Sequence, residues 1–217
     1  MLMIRKYLVV GRSAVGKDTV VRALCEKFGL KQIISYTTRP RRVGEGDTHK
    51  FITEDEAKQI KDKLAITHIN GYEYFITKDQ LMDGDIYIVD PKGAKEIRAL
   101  SDQIIQYHVF NIWLPEEVRK ERIAARGDDP AVAAARCADE DTMFSEFEAD
   151  KSNWDNSVKN IDLQTTVDRL SHIIQAHNNE LLDEIQRCIT AEDDEDPSIF
   201  DPDLFKLIDN WPLDIDE

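Results

Sequence analysis

One segment, Gly11-Arg12-Ser13-Ala14-Val15-Gly16-Lys17-Asp18, constrains this chain more than any other. It follows a short apolar, β-rich run, Ile4–Val10. It precedes a helical pattern at Val20, Val21, Leu24 and Phe28 that Gly29 closes. The spacing is GxxxxGK, and a strand before it with a helix after it is the context in which that spacing binds phosphate. The glycines let the backbone wrap closely, so that N–H groups point inward. The helix N-terminus adds a partial positive charge, and Lys17 adds a full one aimed at β/γ-phosphates. Gly11 to Thr19 is therefore the expected nucleotide-binding loop. Position 18 usually carries Ser or Thr, whose hydroxyl meets Mg²⁺, and here it is Asp. Two uses of Asp18 stand on equal terms: favouring the helix N-terminus, or holding Mg²⁺ through water. Thr19 offers a hydroxyl one position later.

The rest of the chain alternates. Gln32–Thr38 reads as a strand and Thr53–Leu64 as a helix opened by a Thr53/Glu56 capping box. Ala65–Ile69 and Tyr72–Ile76 flank Asn70-Gly71, a hairpin signal. Further strands are expected at Asp85–Val89, Gln103–Trp113 and Ser157–Ile161, and helices at Pro91–Leu100, Pro115–Ala125, Ala131–Ala149 and Leu163–Ile189. Strands alternating with helices predict an α/β fold of three layers with a mostly parallel sheet.

The net charge of −15 is unevenly spread: Asn178–Glu217 holds 14 Asp and Glu against 2 Lys and Arg. The body is nearly balanced and can carry a basic pocket, whereas the acidity belongs to an extension at 178–217. A −15 chain without an aromatic-basic stripe is not expected to bind nucleic acid. No apolar run nears the roughly 18–20 residues of a membrane span. Three scattered cysteines, Cys25, Cys137 and Cys188, predict no disulfide framework and a cytoplasmic location. Within the extension, Leu204, Leu207, Ile208 and Trp211 recur at helical spacing. They are expected to dock on the body, a second copy or a protein partner. A disordered interaction segment is the alternative.

Ser35-Tyr36-Thr37-Thr38-Arg39-Pro40-Arg41-Arg42-Val43-Gly44-Glu45 places three arginines in four positions. Guanidinium groups grip phosphate bidentately, so this loop points to a second anion. With the first loop, it resembles the guanylate kinase family, whose S-x-T-T-R-x-x-R-x-G-E is matched by Ser35, Thr37, Thr38, Arg39, Arg42, Gly44 and Glu45 over a resemblance spanning roughly residues 4–175. That resemblance implies a P-loop nucleoside monophosphate kinase with a domain at 1–177, a nucleotide-acceptor part near 35–84 and a helical lid near 122–140. Arg39 and Arg42 would bind the acceptor phosphate. His49 stands where the family has a phosphate-binding Tyr, and Tyr74 matches the Tyr of its hairpin. Ser35 and Asp90 would face the base, and Asn160 would lie near the adenine. Arg122, Arg126 and Arg136 would close over ATP. The family's guanine-reading Glu has no counterpart in Ala65-Ile66-Thr67-His68.

The reaction implied is transfer of the ATP γ-phosphoryl group, with Mg²⁺, to GMP or dGMP. Two alternatives stay open: a monophosphate kinase of different base specificity, and a non-catalytic binding module on the same fold. The remaining histidines, His68, His108, His172 and His177, lack ligand-like spacing and are expected to be structural or exposed.

Overall fold

The computed structural model describes residues 3–41, 45–69, 71–125 and 130–191. Strand β1 (Ile4–Val10) sits in the middle of a five-stranded sheet in which every pairing is parallel. The order is β2 (Gln32–Ile33), β7 (Ile86–Ile88), β1, β8 (Ile105–Trp113) and β9 (Asn156–Lys159). Side chains of β1 alternate between two cores. Tyr7 and Val9 pack with Val20, Val21 and Leu24 of α1 (Lys17–Phe28) and with Val167, Leu170 and Ile174 of α7 (Leu163–Ala191). Leu8 and Val10 pack on the other face with Ala94 and Ile97 of α4 (Pro91–Arg98) and Phe144 and Phe147 of α6 (Pro130–Ala149). A strand covered on both faces needs apolar residues at successive positions, which is why β1 lacks polar alternation. Helices on both faces of the parallel sheet make the three expected layers.

A second sheet has the order β4 (Lys50–Phe51), β3 (Tyr36–Thr37), β6 (Tyr72–Thr77) and β5 (Lys63–Ile69). The β3–β6 and β5–β6 pairings are antiparallel and β3–β4 is parallel. The expected single strand Gln32–Thr38 is thus two strands. Residues 32–33 pair with β7 and residues 36–37 with β6, so the chain passes from one sheet to the other near Ser35. Residue pattern reports that a segment is extended but not which partner it takes, so the change of sheet left no mark.

The helix expected over Thr53–Leu64 is also shorter. Its capping box is present, with Glu56 N–H donating to Thr53 Oγ1 at 3.2 Å and Thr53 N–H to Glu56 Oε2 at 2.7 Å. But α2 spans Glu54–Gln59, Ile60 is extended, and Lys63 and Leu64 pair with Thr77 and Ile76. Strand pairing in the second sheet claims the residues that a cap-based reading gives to the helix. A further helix, α3 (Lys78–Asp83), starts from a second capping box, Thr77 with Gln80. The Thr77/Gln80 spacing is the same local signal as Thr53/Glu56.

His108 and His177 are structural, as expected. They meet edge to face at 4.7 Å between centroids beside Tyr7, whose hydroxyl shares a 3.2 Å hydrogen bond with His177 Nδ1. His68 and His172 are exposed. No helix among the described residues is long and apolar enough to cross a membrane. Leu204, Leu207, Ile208 and Trp211 of the extension lie outside the described residues, as does Asn70 of the hairpin.

Candidate active site

The carboxyl ends of neighbouring parallel strands deliver the site. Gly11 follows β1. Asp90 follows β7, where Val89 N–H donates to Val9 O at 3.1 Å. Asn160 follows β9 and its N–H donates to Trp113 O at 2.9 Å. In open parallel sheets this edge is where ligands bind.

The loop between β1 and α1 is held tightly. A side chain at Gly11 would run into Ile112 O of the neighbouring strand, so only glycine lets the loop leave the sheet here. Gly16 has φ +91° and caps α1. Ala14 has φ +64° without being glycine, a strain of about 1 kcal/mol or more that such functional loops retain. Lys17 Nζ donates to Gly11 O at 2.7 Å and Arg12 O at 3.0 Å, so its ammonium lies within the loop. Asn160, buried, donates from Nδ2 to Val15 O at 2.7 Å, while its Oδ1 has no hydrogen-bond partner among the described residues. Arg122, on α5 (Glu116–Ala125), donates to Asn160 O at 3.0 Å and Ile161 O at 3.3 Å. Both side chains lie over Gly16: a Cβ there would be 2.6 Å from Asn160 Nδ2 and 3.6 Å from an Arg122 nitrogen. Asp18 and Thr19 are exposed on the first turn of α1, and no side chain caps that helix.

Arg12 points away from the loop interior. It makes two 2.8 Å bonds to Glu148, pairs with Asp141, and lies over the Phe144 ring. Those bonds, Glu148 first, hold its guanidinium above the ordinary range. Ser13 N–H donates to Glu140 Oε1 at 2.7 Å, and Glu140 Oε2 accepts from Arg119 at 2.9 Å. Arg119 is 1% exposed and also grips Glu116 at 3.0 and 3.1 Å. Neither Arg119 nor Glu140 stood out in sequence. The Glu116/Arg119 spacing was visible, but Glu140 is 127 residues from Ser13.

The second cluster comes from the small sheet. Arg39, 9% exposed, holds Glu45 bidentately at 2.8 and 2.9 Å and donates from Nε to Tyr74 Oη at 3.1 Å. Glu45 is the chief reason its guanidinium is held above the ordinary range. Ser35 Oγ and His49 Nδ1 share a 2.9 Å hydrogen bond, and the His49 ring meets Tyr74 edge-on at 5.5 Å. Ser35, Arg39, His49 and Tyr74 are thereby one assembly. Asp90 caps α4, accepting from Gly93 N–H at 2.9 Å, and its other oxygen accepts from Thr67 Oγ1. The wall behind it is tight. A Cβ at Gly93 would sit 2.8 Å from that of Ala65, which has φ +51° in the irregular stretch of β5. Burial pushes the nearby Tyr87 hydroxyl pKa upward, so it stays protonated. Arg42 and Arg126 lie outside the described residues, as does the Arg136 side chain.

The guanylate kinase family model matches residues 3–177. The chain belongs to the guanylate kinase family. It is accordingly an ATP-dependent nucleoside monophosphate kinase. It is 32% identical over 182 residues to guanylate kinase of Coxiella burnetii, covering 78% of this chain and 86% of that protein. It is also 32% identical over 181 residues to guanylate kinase of Symbiobacterium thermophilum, covering 78% and 83%. Among solved structures, guanylate kinase from Anaplasma phagocytophilum matches with a TM-score of 0.58 at 21% identity, over 81% of this chain and 86% of that one. That likeness shows the guanylate kinase fold, in agreement with the three layers described above.

Proposed function

We propose that this kinase transfers the γ-phosphoryl group of ATP to GMP or dGMP, with the β1–α1 loop as donor site and the Ser35–Arg39–His49–Tyr74–Asp90 group as acceptor site. The carrying observation is that the chain has two separate cation-bearing loops, one at the carboxyl edge of the parallel sheet and one on the small sheet, which meets that edge where Thr67 bonds Asp90. A plain ATPase needs only the first. An acceptor monophosphate has a second pKa near 6 and is largely a dianion at neutral pH, so no strong general base is required. The obstacle is repulsion between two polyanions. Lys17 would neutralise the donor phosphates, Arg39 and Arg42 the acceptor phosphate, and Arg122, Arg126 and Arg136 the charge between them. Asn160 braces the loop through Val15 O and keeps its N–H groups in place.

Mg²⁺ fits this donor set in one way. Among the described residues no group of three or more His, Cys, Asp or Glu could hold a metal ion. Asp18 and Thr19 offer two exposed oxygens at the loop. Such an ion keeps several waters and takes its other ligands from substrate phosphates. Asp18 and Thr19 would hold it, through water, and when bound it neutralises β/γ-oxygens.

Base choice has a second reading, a monophosphate kinase of different base specificity. It is favoured by Thr67: a hydroxyl, bonded to Asp90, faces the acceptor side where Ala65–His68 contains no carboxylate. Thr67 Oγ1 already gives its one proton to Asp90, so toward a base it offers lone pairs without the negative charge of a carboxylate. ADP formation measured across GMP, dGMP, AMP, dAMP and the pyrimidine monophosphates tests both readings. The highest kcat/KM with GMP or dGMP supports the first, and another base at the top replaces it. No turnover with any monophosphate sinks the catalytic reading.

The unit containing both sites is taken as residues 1–177, with 178–217 as an extension whose docking on the body, a second copy or a protein partner belongs to the same proposal. Truncation after Ile189 should leave the chemistry intact and alter stability or assembly.

A further inference from the structure

The donor loop already holds an anion. Its Ser13 N–H, a backbone donor inside the GxxxxGK segment, donates to the Glu140 carboxylate of α6 at 2.7 Å. The contact is built. Arg119, buried between Glu116 and Glu140, fixes the carboxylate from behind at 2.9 Å. Three further residues of the same helix, Asp141, Phe144 and Glu148, close around Arg12 of the loop. Positions 141, 144 and 148 share one helix face, so α6 meets the loop with a continuous acidic and aromatic stripe. A bidentate guanidinium–carboxylate pair is among the stronger directional contacts a side chain makes.

We propose that α6 latches the donor loop, with the Glu140 carboxylate competing with a donor phosphoryl oxygen for Ser13 N–H, so that the triphosphate chain must displace it. Arg119 is the positioning residue of this latch. The inference rests on the reading of Gly11–Thr19 as the donor site and adds a competitor to it. Removing the competitor strengthens nucleotide binding, whereas removing a merely structural ion pair weakens it or leaves it unchanged.

The test is calorimetric binding of ATP with Mg²⁺ to the full chain. Glu140→Gln keeps a hydrogen-bond acceptor for Arg119 but loses the charge. The expected result is an ATP Kd tighter by roughly 10-fold, the scale of one charge-assisted hydrogen bond no longer competed for. Asp139→Asn removes one charge from the same helix without touching the loop and is expected to leave Kd unchanged. Equal tightening in Asp139→Asn would mean bulk electrostatics and overturn the latch. An unchanged or weaker Kd in a folded Glu140→Gln protein overturns it as well. If Glu140→Gln does not fold, Glu140→Asp, which keeps the charge beside Arg119 but is one methylene too short to hold Ser13 N–H, reads the same release with the same expected and overturning results. A second readout is amide exchange at Ser13: slow in the wild type, faster in Glu140→Gln, and slow again with ATP. Fast exchange in the wild type without nucleotide overturns the latch. Wild type that binds no ATP overturns the donor-site reading itself, whereas binding with unaltered variants overturns the latch alone.

Discussion

Two arginines of this kinase are gripped in the same way and differ in where the grip comes from. Arg39 in the proposed acceptor loop holds Glu45, six residues further on. Arg12 in the proposed donor loop holds Glu148, 136 residues further on. The acceptor loop therefore sets much of its own shape, with Glu73 and Tyr74 of β6 and the Phe51 ring of β4 reaching it from other strands. The donor loop has a backbone dictated locally by its glycines, but its outward cation belongs to α6. A self-held loop keeps its geometry when neighbouring helices move, and a loop tied to a helix responds to that helix. The acceptor side is thus the more preorganised of the two, and the donor side the one that conformational change can control.

That contrast can be broken by substitution. The largest expected effect is on the donor side. Lys17→Ala should lower kcat by at least roughly 100-fold, as when one key charge-stabilising group is deleted, while the acceptor KM changes little. A matching rise in acceptor KM would merge the two sites. Next, Arg39→Ala should raise the acceptor KM by roughly 10- to 100-fold, the scale of a hydrogen bond to a charged group, and leave ATP binding unaltered. Weakened ATP binding measured by calorimetry would remove the assignment of Arg39 to the acceptor side.

Gly93→Ala sharpens the comparison without touching a charge. Its new methyl meets Val89 Cγ2 at 2.6 Å and Ala65 Cβ at 2.8 Å. Overpacking of this kind costs about 1–3 kcal/mol. The melting temperature should fall and the acceptor KM rise through displaced Asp90, with ATP affinity retained. The smallest effect lies away from both loops. Burial first, then the nearby His108 charge, lowers the His177 pKa from 6.5 to about 4. The unfolded chain therefore takes up the proton first as pH falls. Stability is full above about pH 6.5 and is lost toward pH 4. Because His177 is only half-buried, solvent screens the effect and the loss should be smaller than that of Gly93→Ala. Thermal melts across that range should show the fall, and His177→Asn should flatten part of it. An equally steep fall in the variant would assign it to other groups.

Much of this architecture could be read from residues near one another in the chain. The apolar run of β1, the glycines of the donor loop and the Thr53 capping box are local, and local sterics and hydrogen bonds decide them. The pairing of Arg39 with Glu45 is equally short-range, but the residue pattern pointed Arg39 at a phosphate and not at Glu45. The β2/β3 break and the early end of α2 were not legible, because each depends on which strand lies alongside. The acceptor residues Ser35, Arg39, His49, Tyr74 and Asp90 could be named from the resemblance, but not the bonds among them. Ser35 meeting His49 and Asp90 meeting Thr67 follow from how the small sheet folds against β7 and α4.

By itself, then, the sequence determined the donor loop, the helix caps and the alternation of strand and helix, since φ preferences, backbone donors and side-chain period act over a few residues. Only the tertiary structure decided that Glu140 and Glu148 would bond to that loop. Carboxylates 127 and 136 residues away carry no local mark of their partners, and the packing of α6 on the sheet through Phe144 and Phe147 is what brings them there.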